Sequence, residues 1–275
     1  MMLPAIPVGV AAFGDVDYQC FQQKVQLKCG IRLIDYKSDQ MRRRIVTMSE
    51  QAGCPSFLHY FAAMERDASV LSGFLDRMTI NVTELLRNPE RFAELTRTML
   101  PALLALRKGV PLSAWSAGCS YGAEAYTLAM LFHEIAPTVP HRIKGTDIDL
   151  AVLAKANTPC FTETDMAQVS LERRRAHFTD LGTGGYLPAA HLRARVRFGP
   201  HDLLADTYPP SEYDLILCRN VLIYFTDEAK ERIYRGFFRA LRPGGVLFVG
   251  GTERLSDHRA LGFELIQPFF YRKPV

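Results

Sequence analysis

The stretch Ala114-Trp115-Ser116-Ala117-Gly118-Cys119-Ser120-Tyr121-Gly122-Ala123-Glu124 puts small residues and two glycines between an apolar run at 110–115 and a helical pattern through Tyr126, Leu128, Met130 and Leu131. Strand, tight glycine turn and helix is how an open α/β sheet begins a nucleotide-type site, and glycine lets a ligand approach the backbone with no Cβ in the way. Gly118 and Gly122 do not fit G-x-G-x-x-G, and no lysine is present to make a phosphate loop. Such a turn suits an adenosyl ligand without phosphates, of which S-adenosylmethionine is the example. A second strand, at 141–145, ends in Thr146-Asp147-Ile148-Asp149. A carboxylate at that tip offers two acceptor oxygens to the two hydroxyls of a ribose. Asp147 is the candidate, with Asp149 as cap of the next helix. The chain has seven histidines, none paired at metal-ligand spacing, and no evident Ser-His-Asp set, so the chemistry expected is positioning without a metal or a strong base.

These residues need a sheet to carry them. After the glycine turn, strand and helix patterns alternate, with a buried-strand run at 213–218, a helix carrying Ala229, Ile233, Phe237 and Leu241, a strand at 246–249 and two final strands within 261–271. The sheet expected is mostly parallel with a terminal hairpin. Residues 157–200, with Ser170 opening an arginine-rich helix and alternation at 192–198, read as an inserted β-subdomain. Before the sheet, 15–78 reads as a separate helical unit. Its apolar residues recur at spacings of three and four, Asp17 is placed to cap the first helix, and Gly30 ends it. The division expected is an arm at 1–14, an all-helical domain at 15–78, a linker at 79–90 bearing Asn81, Thr83 and Arg87, and an α/β domain at 91–275. Pro89 starts the next helix, and Pro101 predicts a kink in it.

Composition limits the function classes. The 275 residues carry a net charge of +4, are 48% hydrophobic and 23% charged, and lack the strong basic excess of a dedicated nucleic-acid binder. Six scattered cysteines form no CxxC pair, which predicts reduced thiols and a cytoplasmic setting. The start lacks the basic n-region of a secretory signal, and no uncharged run approaches the roughly 20 residues that span a bilayer. Lys37, Arg42, Arg43 and Arg44 form a local basic cluster, either a solvated helix face or a docking patch for an acidic protein partner.

Several stretches together resemble the CheR-type chemotaxis receptor methyltransferases. They are Thr79-Ile80-Asn81-Val82-Thr83 with Arg87-Asn88-Pro89, Trp115-Ser116-Ala117-Gly118-Cys119-Ser120, Gly145-Thr146-Asp147-Ile148-Asp149, Cys218-Arg219-Asn220-Val221-Leu222-Ile223-Tyr224-Phe225, and Leu241-Arg242-Pro243-Gly244-Gly245. The resemblance implies an all-α N-terminal domain followed by a Rossmann-like methyltransferase domain with a small β-subdomain. It implies S-adenosylmethionine as cofactor, S-adenosylhomocysteine as product, and glutamates of the chemoreceptor cytoplasmic helical bundle as substrate, with no nucleic acid and no membrane insertion. By position, Asn81, Thr83 and Arg87 would line cofactor and active site. Gly118 would lie under the cofactor and Glu124 would contact it, Asp147 would hold the ribose, Asp202 and Leu203 would flank the adenine, Arg219 and Asn220 would border the methionine end, and Tyr224 would face the substrate. The sequence departs from the family's usual pattern at Ala123 and Ala125 beside Glu124, at Leu85 and Leu86 where two phenylalanines are common, and at Asp202 where asparagine is frequent. A turn at 182–186 too short for a bound receptor peptide points to tether-independent action.

The chemistry follows. A glutamate is ionised at neutral pH, with a reference pKa of about 4.3, so methyl transfer to it needs orientation more than a base. Arg87 can clamp the carboxylate and Tyr224 can hydrogen-bond one oxygen, which makes these two the catalytic candidates. The alternatives are a cofactor-binding docking or sensor module, a nucleic-acid or small-molecule methyltransferase, which Arg219-Asn220-Val221-Leu222 in place of an NPPY motif disfavours, and, weakest, a nicotinamide oxidoreductase.

Overall fold

A computed structural model describes residues 13–78, 82–204, 207–251 and 253–275. The chain divides into two compact units, residues 1–80 with 224–230, and 81–223 with 231–275. Each is described by itself.

The first unit is helical, with α1 (Asp15–Cys29), α2 (Ser38–Gln51), α3 (Phe57–Arg66) and α4 (Ala68–Met78). Apolar residues at helical spacing give each helix one buried stripe. Phe21, Ile45, Phe57 and Phe74 are wholly buried, and the Phe21 ring meets Phe57 at 5.8 Å and Phe74 at 6.0 Å. Gly30 closes α1 in the left-handed conformation at φ 74°, as the sequence predicts. Asp17 differs from expectation. It lies inside α1, 2% exposed, and its carboxylate accepts the N–H of Phe57 at 2.8 Å. The carboxylate caps a helix, but that helix is α3, because the free N–H groups of α3's first turn face it across the core.

The second unit opens with α5 (Pro89–Glu94), a π-helical turn at Leu95–Met99 and α6 (Leu100–Arg107). The irregularity predicted at Pro101 is present, but as a widened turn just before it, one of the ways a helix absorbs a residue with no N–H. There follow β1 (Ser113–Ala117), α7 (Ala123–Ile135), β2 (Arg142–Asp147), α8 (Leu150–Asn157), β3 (Phe161–Thr162), α9 (Leu171–His177), β4 (Phe178–Asp180), β5 (Gly185–Pro188), α10 (Ala190–Arg193), β6 (Val196–Pro200), β7 (Tyr213–Cys218), α11 (Asp227–Ala240), β8 (Leu241–Val249), β9 (Glu264–Gln267) and β10 (Phe270–Arg272).

The main sheet runs β6-β2-β1-β7-β8-β10-β9. It is parallel from β6 to β8, and β10 is antiparallel to both β8 and β9, the mostly parallel sheet with a terminal hairpin that the sequence predicts. Every residue of β7 is buried, as expected of a strand covered on both faces. The small sheet is β3-β5-β4. Part of the stretch read as an insertion lies elsewhere: 192–198 is no single strand, since its start completes α10 and Val196–Pro200 pairs with β2 in the main sheet. The alternation at 192–198 cannot distinguish the two sheets, because both bury one face.

Three of the seven histidines meet where α9 and α10 pack on α7. His177 Nδ1 is 3.2 Å from His191 Nε2, the His133 and His191 rings are 4.2 Å apart, and Glu134 accepts from Arg173 and lies 3.3 Å from His177 Nε2. Burial, and to a lesser degree Arg195 and the neighbouring imidazoles, hold His133 and His191 below the ordinary value of 6.5. Burial also pushes His141 down to about 4. For each, the unfolded chain takes up a proton at higher pH than the folded one. Their neutral forms therefore favour folding above pH 6.5, and that contribution is lost as pH falls from 6.5 toward the lowered values, at up to about 1.4 kcal/mol per pH unit for each group. Thermal unfolding midpoints should drop by several degrees between pH 7 and pH 5, and His141→Gln should flatten that slope. A profile unchanged by the substitution would contradict this account.

Candidate active site

The site residues of the second unit gather at the carboxyl ends of β1, β2 and β7, where parallel strands leave their loops. Gly118 follows β1 with φ 75°, and a Cβ built there would stand 2.5 Å from Val221 Cγ2. Its N–H and that of Cys119 both donate to the Thr146 carbonyl, at 2.8 and 2.9 Å, which seats the glycine turn on the end of β2. Gly118→Ala therefore adds both a left-handed strain of about 1–3 kcal/mol and a clash. Its thermal midpoint should fall and its affinity for S-adenosylhomocysteine should weaken at least tenfold by calorimetry. Wild-type values in both would show that the glycine is dispensable.

Asp147 ends β2, 8% exposed. Its Oδ2 accepts the Ser120 N–H at 2.8 Å and its Oδ1 the Asp149 N–H at 3.1 Å. A carboxylate has about four acceptor positions, so capacity remains for a diol. Burial raises its pKa, and the hydrogen bonds from Asp149 and Ser120 work against that. Asp149 caps α8 by accepting from Ala151 and Val152. The next loop joins here too, since the His201 N–H donates to the Asp147 carbonyl at 3.0 Å. Asp202 Oδ1 accepts the Leu204 N–H, so it shapes its own turn, and Leu203 is 8% exposed.

Glu124, in the first turn of α7, is partly buried, with its side chain 12% exposed. Its Oε1 accepts from Ser116 Oγ at 2.7 Å and its Oε2 lies 3.5 Å from Arg219 Nη1. Burial raises its pKa, while Arg219 and Ser116 oppose the rise. Arg219 is itself held on several sides. Its guanidinium lies between the rings of Phe92 and Phe248, at 4.9 and 4.8 Å, and Nη2 donates to the Arg87 carbonyl at 2.8 Å and to Asn88 Oδ1 at 3.0 Å. Its Nε is buried with no hydrogen-bond partner among the described residues. Arg219 and Glu124 thus join β1, α7, β7 and the 87–88 segment in one network.

Thr83 and Arg87 lie on a strap, residues 83–88, whose Leu85 and Leu86 side chains are buried. The Leu86 N–H donates to Thr127 Oγ1 at 3.0 Å. Leu86 and Asn88 both take positive φ, 56° and 63°, a conformation that non-glycine residues hold only where their surroundings fix it. The Arg87 guanidinium donates to the Val82 carbonyl at 2.8 Å. Asn81 lies outside the described residues.

Sequence reasoning missed Glu253. It is 4% exposed, and its carboxylate accepts the N–H groups of Asn220, Leu222 and Gly250. It holds the turn in which Asn220 takes φ 62°. The only signal was a lone glutamate closing Gly250-Gly251-Thr252-Glu253 after a strand. Tyr121, a bystander within the glycine turn by sequence, also proves to be bonded on two sides, as described below.

In the first unit, Tyr224 lies with the N-terminal helices. Its carbonyl accepts the Lys37 N–H, and the Arg44 guanidinium sits 5.5 Å from its ring. Lys37, Gln40, Met41, Arg43, Arg44 and Tyr224 line a cleft of about 410 Å³. Three of the four residues of the predicted basic cluster line this cleft. The fourth, Arg42, pairs with Asp15 at 2.5 Å and stacks on Tyr18.

A glycine cradle without phosphate-binding lysine, a buried carboxylate with acceptor capacity at the second strand and a polar network at the third define a class I type of methyltransferase site, and the chain belongs to the CheR methyltransferase family. Residues 81–268 match the model described as "CheR methyltransferase, SAM binding domain" and residues 16–79 the one described as "CheR methyltransferase, all-alpha domain". S-adenosylmethionine is accordingly its cofactor. Two similar curated proteins are each called "Chemotaxis protein methyltransferase". The one from Listeria monocytogenes is 38% identical over 258 residues, 94% of this chain and 97% of that one. The one from Escherichia coli is 31% identical over 254 residues, 89% and 86%. Among solved structures, a putative sarcosine dimethylglycine methyltransferase from Galdieria sulphuraria is similar at a TM-score of 0.36 with 16% identity, covering 58% of this chain and 46% of that one. No helix among the described residues is long and apolar enough to cross a membrane.

Proposed function

We propose that the chain transfers the methyl group of S-adenosylmethionine to glutamate side-chain carboxylates of chemoreceptors, giving glutamate 5-O-methyl esters and S-adenosylhomocysteine, as a protein-glutamate O-methyltransferase in chemotactic adaptation. The observation that carries this reading is the match along nearly the whole chain to proteins named chemotaxis methyltransferases. The substrate is the receptor's cytoplasmic helical bundle, reached by recruitment to membrane receptor arrays.

When bound, the cofactor supplies a sulfonium methyl open to in-line attack. The chain's part is to bind and orient. Asp147 accepts from the ribose hydroxyls, Gly118 leaves the close approach free, Leu203 and Asp202 flank the adenine, and Thr83, Glu124, Arg219, Asn220 and Asn81 border the rest. The glutamate nucleophile is already ionised near neutral pH, so no residue need remove a proton. Arg87 clamps one carboxylate geometry by two parallel N–H bonds, and Tyr224 donates to or lines the reacting end. A clamp that bound the ground state too well would slow transfer, which favours one arginine over a cage. Lys37, Arg43 and Arg44 give the partner's acidic surface a basic counterpart beside Tyr224.

The test is incubation with methyl-labelled S-adenosylmethionine and membranes that hold chemoreceptors. Label on the receptor band, released as methanol by alkali, is the expected result, because carboxyl methyl esters hydrolyse and N-methyl groups do not. Alkali-stable label, or none on the receptor, would overturn the assignment.

A further inference from the structure

Tyr121 stands in the glycine turn, yet none of the roles above uses it. Its hydroxyl is hydrogen-bonded to the Thr83 carbonyl on the strap and lies 2.7 Å from Asp165 Oδ1. Asp165 lies in the loop after β3. Its Oδ2 accepts from the Thr162 N–H and hydroxyl at 2.7 and 2.9 Å, and its own carbonyl accepts the Leu85 N–H at 3.1 Å. The same two residues of the strap, Thr83 and Leu85, are therefore tied to the glycine turn and to the small sheet through one tyrosine and one aspartate. Apart from this pair, the strap's remaining ties described above are to Thr127 and Arg219.

We propose that Tyr121 and Asp165 are positioning residues for the methyl transfer, a latch that fixes the 83–87 strap, and with it Arg87, relative to the cofactor turn. The inference rests on the reading of Arg87 given above. A phenol has one proton, and here it faces two acceptors, so the latch shares a single donor between the strap carbonyl and the small-sheet carboxylate. Burial, and secondarily Asp165, raise the Tyr121 pKa well above its ordinary value, so the hydroxyl stays protonated at any working pH. Tyr121→Phe keeps the ring, which packs near Phe161 at 6.4 Å, and removes only the donor. The Thr83 carbonyl then loses its protein partner. Asp165→Asn keeps an oxygen for the Thr162 donors and turns its amide toward the phenol, which still donates to Thr83. Asp165→Ala keeps neither.

Each variant of the full chain is compared with wild type in amide hydrogen exchange of the 82–88 peptide, in kcat and KM for receptor methylation, and in S-adenosylhomocysteine affinity by calorimetry. Tyr121→Phe should raise strap exchange about tenfold, the worth of one hydrogen bond, and Asp165→Ala, which leaves the phenol bonded to Thr83 but frees it from the small sheet, should raise it in the same direction by less, with exchange in β1 and β7 unchanged. They should lower kcat about tenfold with little change in receptor KM, and Asp165→Asn should restore most of both. Wild-type strap exchange and kcat in Tyr121→Phe would overturn the latch. A wild-type chain that binds S-adenosylhomocysteine but methylates no receptor, while Tyr121→Phe still loosens the strap, would leave the latch standing and remove the receptor reading instead. Loosening of the strap with unaltered kcat would reduce the pair to a local structural tie and also overturn the proposal.

Discussion

Arg87→Ala should lower kcat/KM for receptor methylation by about 10²–10³-fold, the usual loss when one preorganised charged donor is removed from a reacting centre. Within the described residues the guanidinium's protein hydrogen bond is to the Val82 carbonyl beside it, so truncation leaves the strap's ties through Tyr121, Thr127 and Arg219 intact. The folded state should survive with a near-normal thermal midpoint. Affinity for S-adenosylhomocysteine should fall less than tenfold, because the lost group acts mainly on the acceptor carboxylate. Arg87→Lys should recover only part of the rate, since an ammonium offers a point charge where a planar fork is needed. Equal activity of Arg87→Ala and wild type would remove Arg87 from the mechanism, and a collapse of cofactor affinity with unchanged kcat would move it from the acceptor to the cofactor.

The second large effect belongs to Asp147. Asp147→Ala should weaken S-adenosylhomocysteine binding about 100-fold, because hydrogen bonds to a charged acceptor contribute about 1.5–3 kcal/mol each and the variant also strips the Ser120 and Asp149 N–H groups of their partner. Asp147→Asn keeps one acceptor oxygen and should lose less. The raised pKa of this carboxylate adds a pH signature: affinity falls as pH drops through that value, at higher pH than for an ordinary aspartate. Calorimetry from pH 8 down toward the ordinary aspartate range separates the two contributions. An Asp147→Ala protein with wild-type affinity would show that the ribose is held elsewhere.

These two residues differ in how they could be found. The place of Asp147 at the tip of a second parallel strand after a glycine turn was legible, because the α/β topology fixes which strand ends meet; its role toward the ribose is a proposal. The helical unit and the main sheet were legible for the same kind of reason: spacing of three and four against continuous apolar runs distinguishes the two periods. Asp17 shows the limit. Its type announced a capping role, but which helix it serves depends on packing across 40 residues of chain. Val196–Pro200 shows another, since its alternation fits either sheet and only its pairing with β2 decides. Glu253 and Tyr121 were out of reach: Glu253 holds backbone N–H groups, which carry no residue type, and Tyr121 meets a strap carbonyl and a carboxylate far away in the chain, which no local spacing announces. The roles of Arg87 and Tyr224 came from motif resemblance, and mutagenesis is what tests them.

The most direct test of the central claim is tandem mass spectrometry of chemoreceptor incubated with this protein and S-adenosylmethionine, then digested at acid pH to preserve esters. Added methyl groups should lie on glutamate side chains of the receptor's cytoplasmic helices, absent when Asp147→Ala or Arg87→Ala replaces wild type. Methyl groups found on lysine, arginine or a small molecule, or a receptor left unmodified by a protein that binds S-adenosylhomocysteine, would contradict the account.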